Sequence, residues 1–115
     1  MIEASIIFDV RCKPGPRVKS KGIDFNYRVP KYRLYVNDSM FTEREWSFEP
    51  NEYIQERLWI NVDTDVNKLR LEPVLKYKDH YEISNFQVLK YINDNEWDID
   101  KDSHTQKDLE ITFKV

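Results

Sequence analysis

Residues 2–10 read IEASIIFDV, and this stretch decides the fold class. Its apolar residues recur at every second position, with polar residues at several of the positions between them. The same alternation returns at residues 23–29, 32–36 and 109–115. Successive side chains of a β-strand point to opposite faces, so each of these stretches predicts a strand with one buried face. Four such strands favour an antiparallel sheet whose other face meets solvent.

Less regular segments extend this all-β pattern through the middle of the chain. Further strands are predicted over residues 40–48, 54–62, 68–72, 81–92 and 97–99. The pair Asn37-Asp38 predicts a turn, because these two residue types tolerate the left-handed region. A shift of apolar register between Ile83 and Phe86 predicts a β-bulge. Residues 52–58 also fit a helical face, but the β-forming residues that follow favour a strand.

The number and spacing of these strands predict the architecture. A chain of 115 residues buries one core but not two. We therefore expect a single antiparallel β-sandwich, jelly-roll-like, over residues 1–115, with eight or nine strands and little or no helix. The charged strands at residues 68–72 and 96–102 are expected at sheet edges, where charge prevents pairing with other chains. The strand at residues 109–115 is expected inside a sheet.

Charge and composition argue against several classes of protein. Charged residues make up 34% of the chain but the net charge is only −3, so no general attraction to nucleic acid or to a membrane surface is expected. No apolar run approaches the roughly 20 residues of a membrane helix. The first ten residues alternate in a way that the core of a signal peptide does not, so no signal peptide is expected. Cys12 is the only cysteine, which excludes a disulfide within the chain and a cysteine-based zinc cluster.

The sequence offers no recognisable catalytic group. His80 and His104 stand apart, so their spacing proposes neither a metal triad nor a nucleophile–base pair. Two glycines can scarcely supply a phosphate-binding loop. We therefore expect a protein that is not an enzyme.

Residues 11–22 (RCKPGPRVKSKG) form a distinctly basic segment. Five basic side chains occur there without an acidic one: Arg11, Lys13, Arg17, Lys19 and Lys21. Two prolines prevent pairing as a regular strand, so the segment is predicted to be a loop. It is either a solvated connection between strands or a contact arm for an acidic protein surface or for phosphates.

Residues 93–102 (NDNEWDIDKD) carry the opposite charge. Acidic side chains stand at every second position: Asp94, Glu96, Asp98, Asp100 and Asp102. On a strand they share one face and repel one another, so water and salt, a cation such as calcium, or a basic surface such as residues 11–22 compensates them. Asp98, Asp100 and Asp102 match the first three ligand positions of an EF-hand loop. Ser103 and Leu109 break its sixth and twelfth positions, which leaves open only a calcium site of another kind.

Aromatic side chains suggest a different binding chemistry, because sugar rings stack on exposed aromatic rings. Trp59 lies on the strand face opposite the apolar positions of residues 54–62, so it is the best candidate for an exposed aromatic residue. Tyr35, beside Arg33 on its own strand face, is the second candidate. The alternative is that these rings are core or cross-strand partners.

Three segments resemble a small protein family of marine cyanobacterial phages: residues 31–44 (KYRLYVNDSMFTER), 53–58 (YIQERL) and 71–74 (LEPV). The resemblance implies an accessory subunit of the virion, either capsid decoration or tail-associated, located in the virion or the host cytoplasm. Other virion proteins or further copies of the chain would be its partners. We assign these contacts to the five basic residues of the segment 11–22 and to Glu96, Asp98 and Asp100.

The strand pattern also resembles jelly-roll carbohydrate-binding modules. In those modules YRLYVN (residues 32–37) and EISNFQV (residues 82–88) have counterparts. This second resemblance implies glycan binding through Tyr35 and Trp59, with calcium as a possible cofactor. The leading hypothesis is therefore a non-enzymatic structural or interaction protein of a phage particle, and the alternative is a carbohydrate-binding module.

Overall fold

The computed structural model describes residues 2–13, 30–46, 52–74, 79–92, 95–98 and 104–115, except for the side chains of residues 92 and 96–98. The strands within these residues are β1 (Ile2–Lys13), β2 (Lys31–Val36), β3 (Ser39–Glu45), β4 (Ile54–Val62), β5 (Val66–Pro73), β6 (His80–Ile92), β7 (Asn95–Asp98), β8 (His104–Lys107) and β9 (Glu110–Lys114). They form two sheets, one with the order β4-β1-β6-β7 and one with the order β3-β2-β5-β9-β8. The predicted antiparallel β-sandwich is confirmed. Helix is absent from the described part of the chain, which therefore holds no helix able to cross a bilayer.

Strand β1 contains the stretch that decides the fold class, and it lies inside the four-stranded sheet. It pairs with β4 from Ile2↔Val62 to Val10↔Ile54, and with β6 on its other side. Because all three strands alternate in step, their apolar side chains fall on the same face. The register of β1 therefore decides which side chains of this sheet are buried and which face solvent.

One hydrophobic core lies between the two sheets. Its buried side chains come from β1, β4 and β6 of one sheet and from β2, β5 and β9 of the other. Among the largest fully buried ones are Trp46, Tyr32, Phe8 and Phe113. Burial of one such side chain contributes about 1.5–3 kcal/mol, so this core is the main source of stability.

Specific contacts cross from one sheet to the other. The rings of Phe86 on β6 and Phe113 on β9 lie 5.2 Å apart, centre to centre. The Tyr81 hydroxyl on β6 donates a hydrogen bond to the Lys31 carbonyl on β2 at 3.1 Å. These contacts fix the relative position of the two sheets.

The β2–β3 hairpin turns at Asn37-Asp38, as the sequence predicts. Both residues have positive φ, 50° and 65°, which suits a two-residue hairpin loop. Asn37 also ties the turn to β5. Its Nδ2 donates to Asn67 Oδ1 at 2.8 Å, and its Oδ1 accepts from the Lys68 amide at 2.9 Å.

The predicted irregularity within residues 81–92 is a β-bulge in β6. Its pairing with β1 shifts between Ile7 and Asp9, and Asn85 at this point has a φ of 54°. Asparagine tolerates this left-handed conformation better than most residues. The bulge turns Phe86 into the core and leaves Asn85 on the outer side, next to Asp9.

The prediction that residues 68–72 form a sheet edge is wrong. They belong to β5, which lies between β2 and β9 in the middle of the five-stranded sheet. Alternating charge marks a solvent-facing row, and such a row occurs on central strands as well as on edge strands. The placement of β9 inside its sheet is confirmed, since β9 lies between β5 and β8. Of the predicted edge strand 96–102 only residues 96–98 are described; they belong to β7, the last strand of its sheet among the described residues.

Three further predictions concern the basic segment, residues 54–62 and residues 23–29. The basic segment is not a loop from Arg11 onward, because β1 continues to Lys13 and pairs there with His80. Residues 54–62 form strand β4 rather than a helix. The strand predicted over residues 23–29 lies outside the described residues.

Candidate functional site

The two outer faces of the sandwich differ in chemistry. Ion pairs cover much of the outer face of the five-stranded sheet: Lys31–Glu45 (3.6 Å), Arg33–Glu43 (3.3 Å), Lys68–Glu110 (3.9 Å) and Arg70–Glu72 (2.7 Å). The charges of these eight side chains cancel locally. The outer face of the four-stranded sheet carries exposed aromatic rings and amides beside charged side chains such as Arg57, Arg11 and Glu82.

Tyr35 lies on the ion-paired face. The Arg70 guanidinium sits 4.2 Å from the centre of its ring, and a hydrogen bond to Glu72 raises the pKa of Arg70 above its usual value. A permanent cation therefore occupies one side of the Tyr35 ring. Because Trp59 lies on the opposite outer face of the sandwich, the two aromatic residues predicted to bind a ligand do not form one site.

Trp59 projects from β4 on the outer face of the four-stranded sheet and is 53% exposed. Its ring stacks on the ring of Tyr91 from β6, with centres 4.4 Å apart and planes inclined by 22°. Strand β1 runs between β4 and β6, so the stacked pair bridges it. We call the pair of Trp59 and Tyr91 the aromatic platform.

Polar contacts hold the aromatic platform in place. The Tyr91 hydroxyl lies 2.9 Å from Ser5 Oγ on β1 and accepts a hydrogen bond from Arg57 Nη2 at 3.4 Å. Ser5 faces outward opposite Trp59, yet it is only 1% exposed, because the platform covers it. Side chains fixed in this way lose little conformational freedom when a ligand binds.

A shallow trough runs along β1 next to the platform. Outward side chains of β1 are buried or partly buried there: Ser5, Ile7 and Asp9. Outward side chains of the neighbouring β4 row are exposed: Tyr53, Gln55 and Arg57. These six residues form what we call the β1 trough. At its far end Tyr53 is 51% exposed, and the Arg11 guanidinium lies 5.6 Å from the centre of its ring.

Asp9 lies in the middle of the β1 trough and is 9% exposed. Its Oδ2 accepts a hydrogen bond from Asn85 Nδ2 at 2.8 Å. Its buried Oδ1 has no hydrogen-bond partner within the described part of the chain. A buried acceptor without a donor costs about 1–3 kcal/mol, so a donor supplied from outside would be stabilising here.

The sequence predicts the exposure of Trp59 but not its contacts with Tyr91 and Ser5. Tyr91 stands in the outward row of β6 only because the bulge at Asn85 shifts the alternation. The irregular apolar register between Ile83 and Phe86 indicates the bulge. It places Tyr91 on the outer face only once the pairing of β6 with β1 is known. The alternation of β1 predicts that Ser5 faces solvent. Its burial depends on Trp59 and Tyr91, which the strands on either side of β1 supply.

A buried polar cluster pins β4 to the opposite sheet. Glu56 faces the core and is 4% exposed; it accepts hydrogen bonds from the Tyr32 hydroxyl at 2.7 Å and from Arg44 Nε at 3.2 Å. Burial, together with the bond to Glu56, raises the pKa of Tyr32 well above its usual range. Tyr32 therefore stays protonated at physiological pH, and the cluster has a structural role.

The predicted protein contacts are only partly within the described residues. Arg11 and Lys13 lie at the end of β1 and line a pocket of about 180 Å³ together with His80 and Glu82. Glu96 and Asp98 belong to β7, where the backbone alone is described. Outside the described residues lie Arg17, Lys19, Lys21, Asp100 and Asp102. Two of the three predicted calcium ligands are therefore not described, and the third, Asp98, is described by its backbone alone. Nowhere in the described ranges do three His, Cys, Asp or Glu side chains come together as metal ligands would.

The two histidines occupy separate positions. His80 Nε2 lies 3.3 Å from Glu82 Oε1, and both residues line a cavity of about 460 Å³ together with Asp108. The His104 ring packs against Phe86 with centres 5.1 Å apart. The candidate site is the aromatic platform with the β1 trough, where exposed rings coincide with the buried, unpartnered Asp9 Oδ1.

Comparison with known proteins found no similar family model, no similar curated protein and no similar solved structure. The function is therefore argued from the chemistry of this face alone.

Proposed function

We propose that the protein is a non-enzymatic binding module that binds glycans on the outer face of its four-stranded sheet. The observation that carries the proposal is the aromatic platform, in which an exposed Trp59 ring is held rigid by Tyr91. A ring that only filled the core would be buried, as Trp46 is.

The surroundings of the platform suit a sugar. A sugar ring has one face of C–H groups, which packs on an aromatic ring, and a rim of hydroxyl groups, which need hydrogen-bond partners. Gln55, Gln87 and Asp9 supply amide and carboxylate groups on the same outer face. The net charge of −3 argues against single-stranded nucleic acid, which also stacks on aromatic rings but requires a basic groove.

Affinity electrophoresis in gels that contain soluble polysaccharides tests this proposal, together with a glycan array. We expect the wild-type chain to be retarded by at least one polysaccharide and Trp59→Ala to migrate as it does in an empty gel. Phe41→Ala is the matched control, because Phe41 is an aromatic residue of similar exposure (45%) on β3 of the other sheet. Absence of binding to every glycan, or equal retardation of both variants, rejects the proposal. Repetition with a calcium chelator tests whether Asp98, Asp100 and Asp102 contribute.

A different surface supports a second candidate, the virion accessory subunit. Met40 and Phe41 are both exposed on β3, the last strand of its sheet among the described residues, beside a groove of about 270 Å³ that Ile60 and Val62 help to line. Adjacent exposed apolar residues of this kind mark protein–protein contacts. Mass spectrometry of purified particles of a phage that carries this gene is the test, and absence of the protein from the particles rejects this candidate.

A further inference from the structure

The outer row of β4 presents two exposed aromatic residues, one towards each end. Trp59 belongs to the aromatic platform, and Tyr53 precedes the first residue of the strand. Both lie on the same outer row, six residues apart. At about 3.3 Å per residue they are separated by roughly 20 Å, which is longer than a single sugar unit.

Polar groups fill the space between these two rings. Gln55 and Arg57 are exposed on β4, and Gln87 lies opposite them on β6, across β1. Asp9 lies at the centre, with its Oδ1 buried and without a partner in the described residues. The row thus has an aromatic residue at each end and hydrogen-bonding groups in the middle.

Within the described residues, exposed side chains continue this outer face past both rings. Asn61 follows Trp59 on β4, and Lys13 follows Arg11 at the end of β1. A linear ligand longer than the space between the two rings can therefore contact further residues of the same face.

The Asp9 carboxylate disfavours an acidic group at the centre of the trough, between the exposed cations Arg57 and Arg11. Asp9 is buried, so its interaction with a nearby charge is screened less than that of an exposed carboxylate. A uronic acid or sulfate group at this position would be repelled, whereas a neutral hydroxyl would donate to Oδ1. Contact with Oδ1 requires neighbouring side chains to move, and exposed ones such as Gln55 change rotamer within nanoseconds.

We propose that the β1 trough binds several units of a linear, uncharged polysaccharide, with one sugar unit on Trp59, another on Tyr53 and a hydroxyl between them bonded to Asp9. This inference rests on the proposed glycan binding and specifies its ligand. It assigns Tyr53 as a second stacking residue and Asp9 as a specificity-determining residue.

Titration calorimetry with sugar ladders tests the length of the site. The probes are cello-, xylo- and manno-oligosaccharides from disaccharide to hexasaccharide, with alginate and polygalacturonate as acidic polymers. Affinity should rise with chain length until the oligosaccharide spans roughly 20 Å, and Tyr53→Ala should bind the hexasaccharide about tenfold more weakly while leaving the disaccharide unaffected. Asp9→Asn preserves shape but replaces an oxygen acceptor and its charge, so it should weaken binding of the neutral chain and relieve the exclusion of alginate.

The outcomes separate this inference from the glycan proposal itself. Loss of binding in Trp59→Ala, with affinity that stops rising at the disaccharide and no effect of Tyr53→Ala, overturns the extended site but leaves glycan binding intact. Preferred binding of alginate by the wild-type chain overturns the role of Asp9. Absence of binding to every probe overturns the glycan proposal and the inference with it. Thermal melting of each variant without sugar shows that the variants are folded.

Discussion

Replacement of Glu56 by alanine tests how the two sheets are held together at the side where β3 and β4 meet. The Glu56 carboxylate is almost completely buried and accepts from two residues of the other sheet. Tyr32 donates at 2.7 Å and is fully buried, whereas Arg44 donates at 3.2 Å and is half exposed. The substitution therefore affects the two partners differently.

The magnitude follows from that difference. Without Glu56 the buried Tyr32 hydroxyl has lost its acceptor, at a cost of about 1–3 kcal/mol, while Arg44 can return to water. The small cavity left by the side chain adds about 1 kcal/mol. We expect Glu56→Ala to lower the free energy of unfolding by about 2–4 kcal/mol, which for a domain of this size lowers Tm by roughly 10 °C. Glu56→Gln keeps an acceptor and should cost about 1 kcal/mol.

Urea denaturation followed by circular dichroism measures these values. Glu43→Ala is the control, because it breaks an exposed ion pair with Arg33 and should change stability by no more than about 0.5 kcal/mol. A double-mutant cycle of Tyr32→Phe with Glu56→Ala isolates the interaction between the two residues, because each single substitution removes their hydrogen bond. If Glu56→Ala costs no more than Glu43→Ala, the cluster does not pin the sheets and the reasoning is refuted.

Three further predictions concern the tyrosine in this cluster, the bulge and the platform. The pKa of Tyr32 is raised from its usual 10.0 in the folded protein, so the protonated hydroxyl contributes fully to the free energy of unfolding below about pH 10. This contribution is lost as the pH rises above that value. Urea titrations between about pH 8 and pH 11 should therefore show a smaller loss of stability for Tyr32→Phe than for wild type. Asn85→Ala should lower the free energy of unfolding by about 2 kcal/mol, because alanine is strained in the left-handed conformation and the hydrogen bond to Asp9 is lost. Asn85→Gly loses only the hydrogen bond and should lower the free energy of unfolding by less in the same assay. Affinity electrophoresis should show that Tyr91→Ala weakens glycan binding as much as Trp59→Ala does. Tyr91→Phe keeps the stacked ring and should bind nearly as well as the wild-type chain. Equal losses in both Tyr91 variants would mean that the contacts of the hydroxyl group, and not the ring, support binding.

The fold followed from local patterns that the chain repeats in each strand. Near neighbours in sequence determine the alternation in residues 2–10 and 109–115, the Asn37-Asp38 turn and the register shift before Phe86, so the sequence alone predicts these features. The sequence did not predict the position of β5 in the middle of the five-stranded sheet. Charges at residues 68–72 report which side of a strand meets solvent, but they do not report whether another strand lies beside it.

The candidate site was only half predictable for the same reason. Exposure of Trp59 follows from the alternation within β4. Its stacking on Tyr91 depends on β1 lying between β4 and β6, which is a long-range arrangement with no local signature. Glu56 is a similar case. Its carboxylate interrupts the apolar face of β4 in the sequence, and its role depends on Tyr32 and Arg44, which the opposite sheet supplies.

A backbone amide NMR titration with the oligosaccharide that the ladder selects tests the central claim most directly. The account predicts chemical-shift changes concentrated at the outward residues of β4, β1 and β6, from Trp59 and Tyr91 to Tyr53, with little change around Tyr35 and Arg70 on the other sheet. Changes confined to the five-stranded sheet, or no changes at saturating ligand, would contradict the assignment of the binding site to the aromatic platform and the β1 trough.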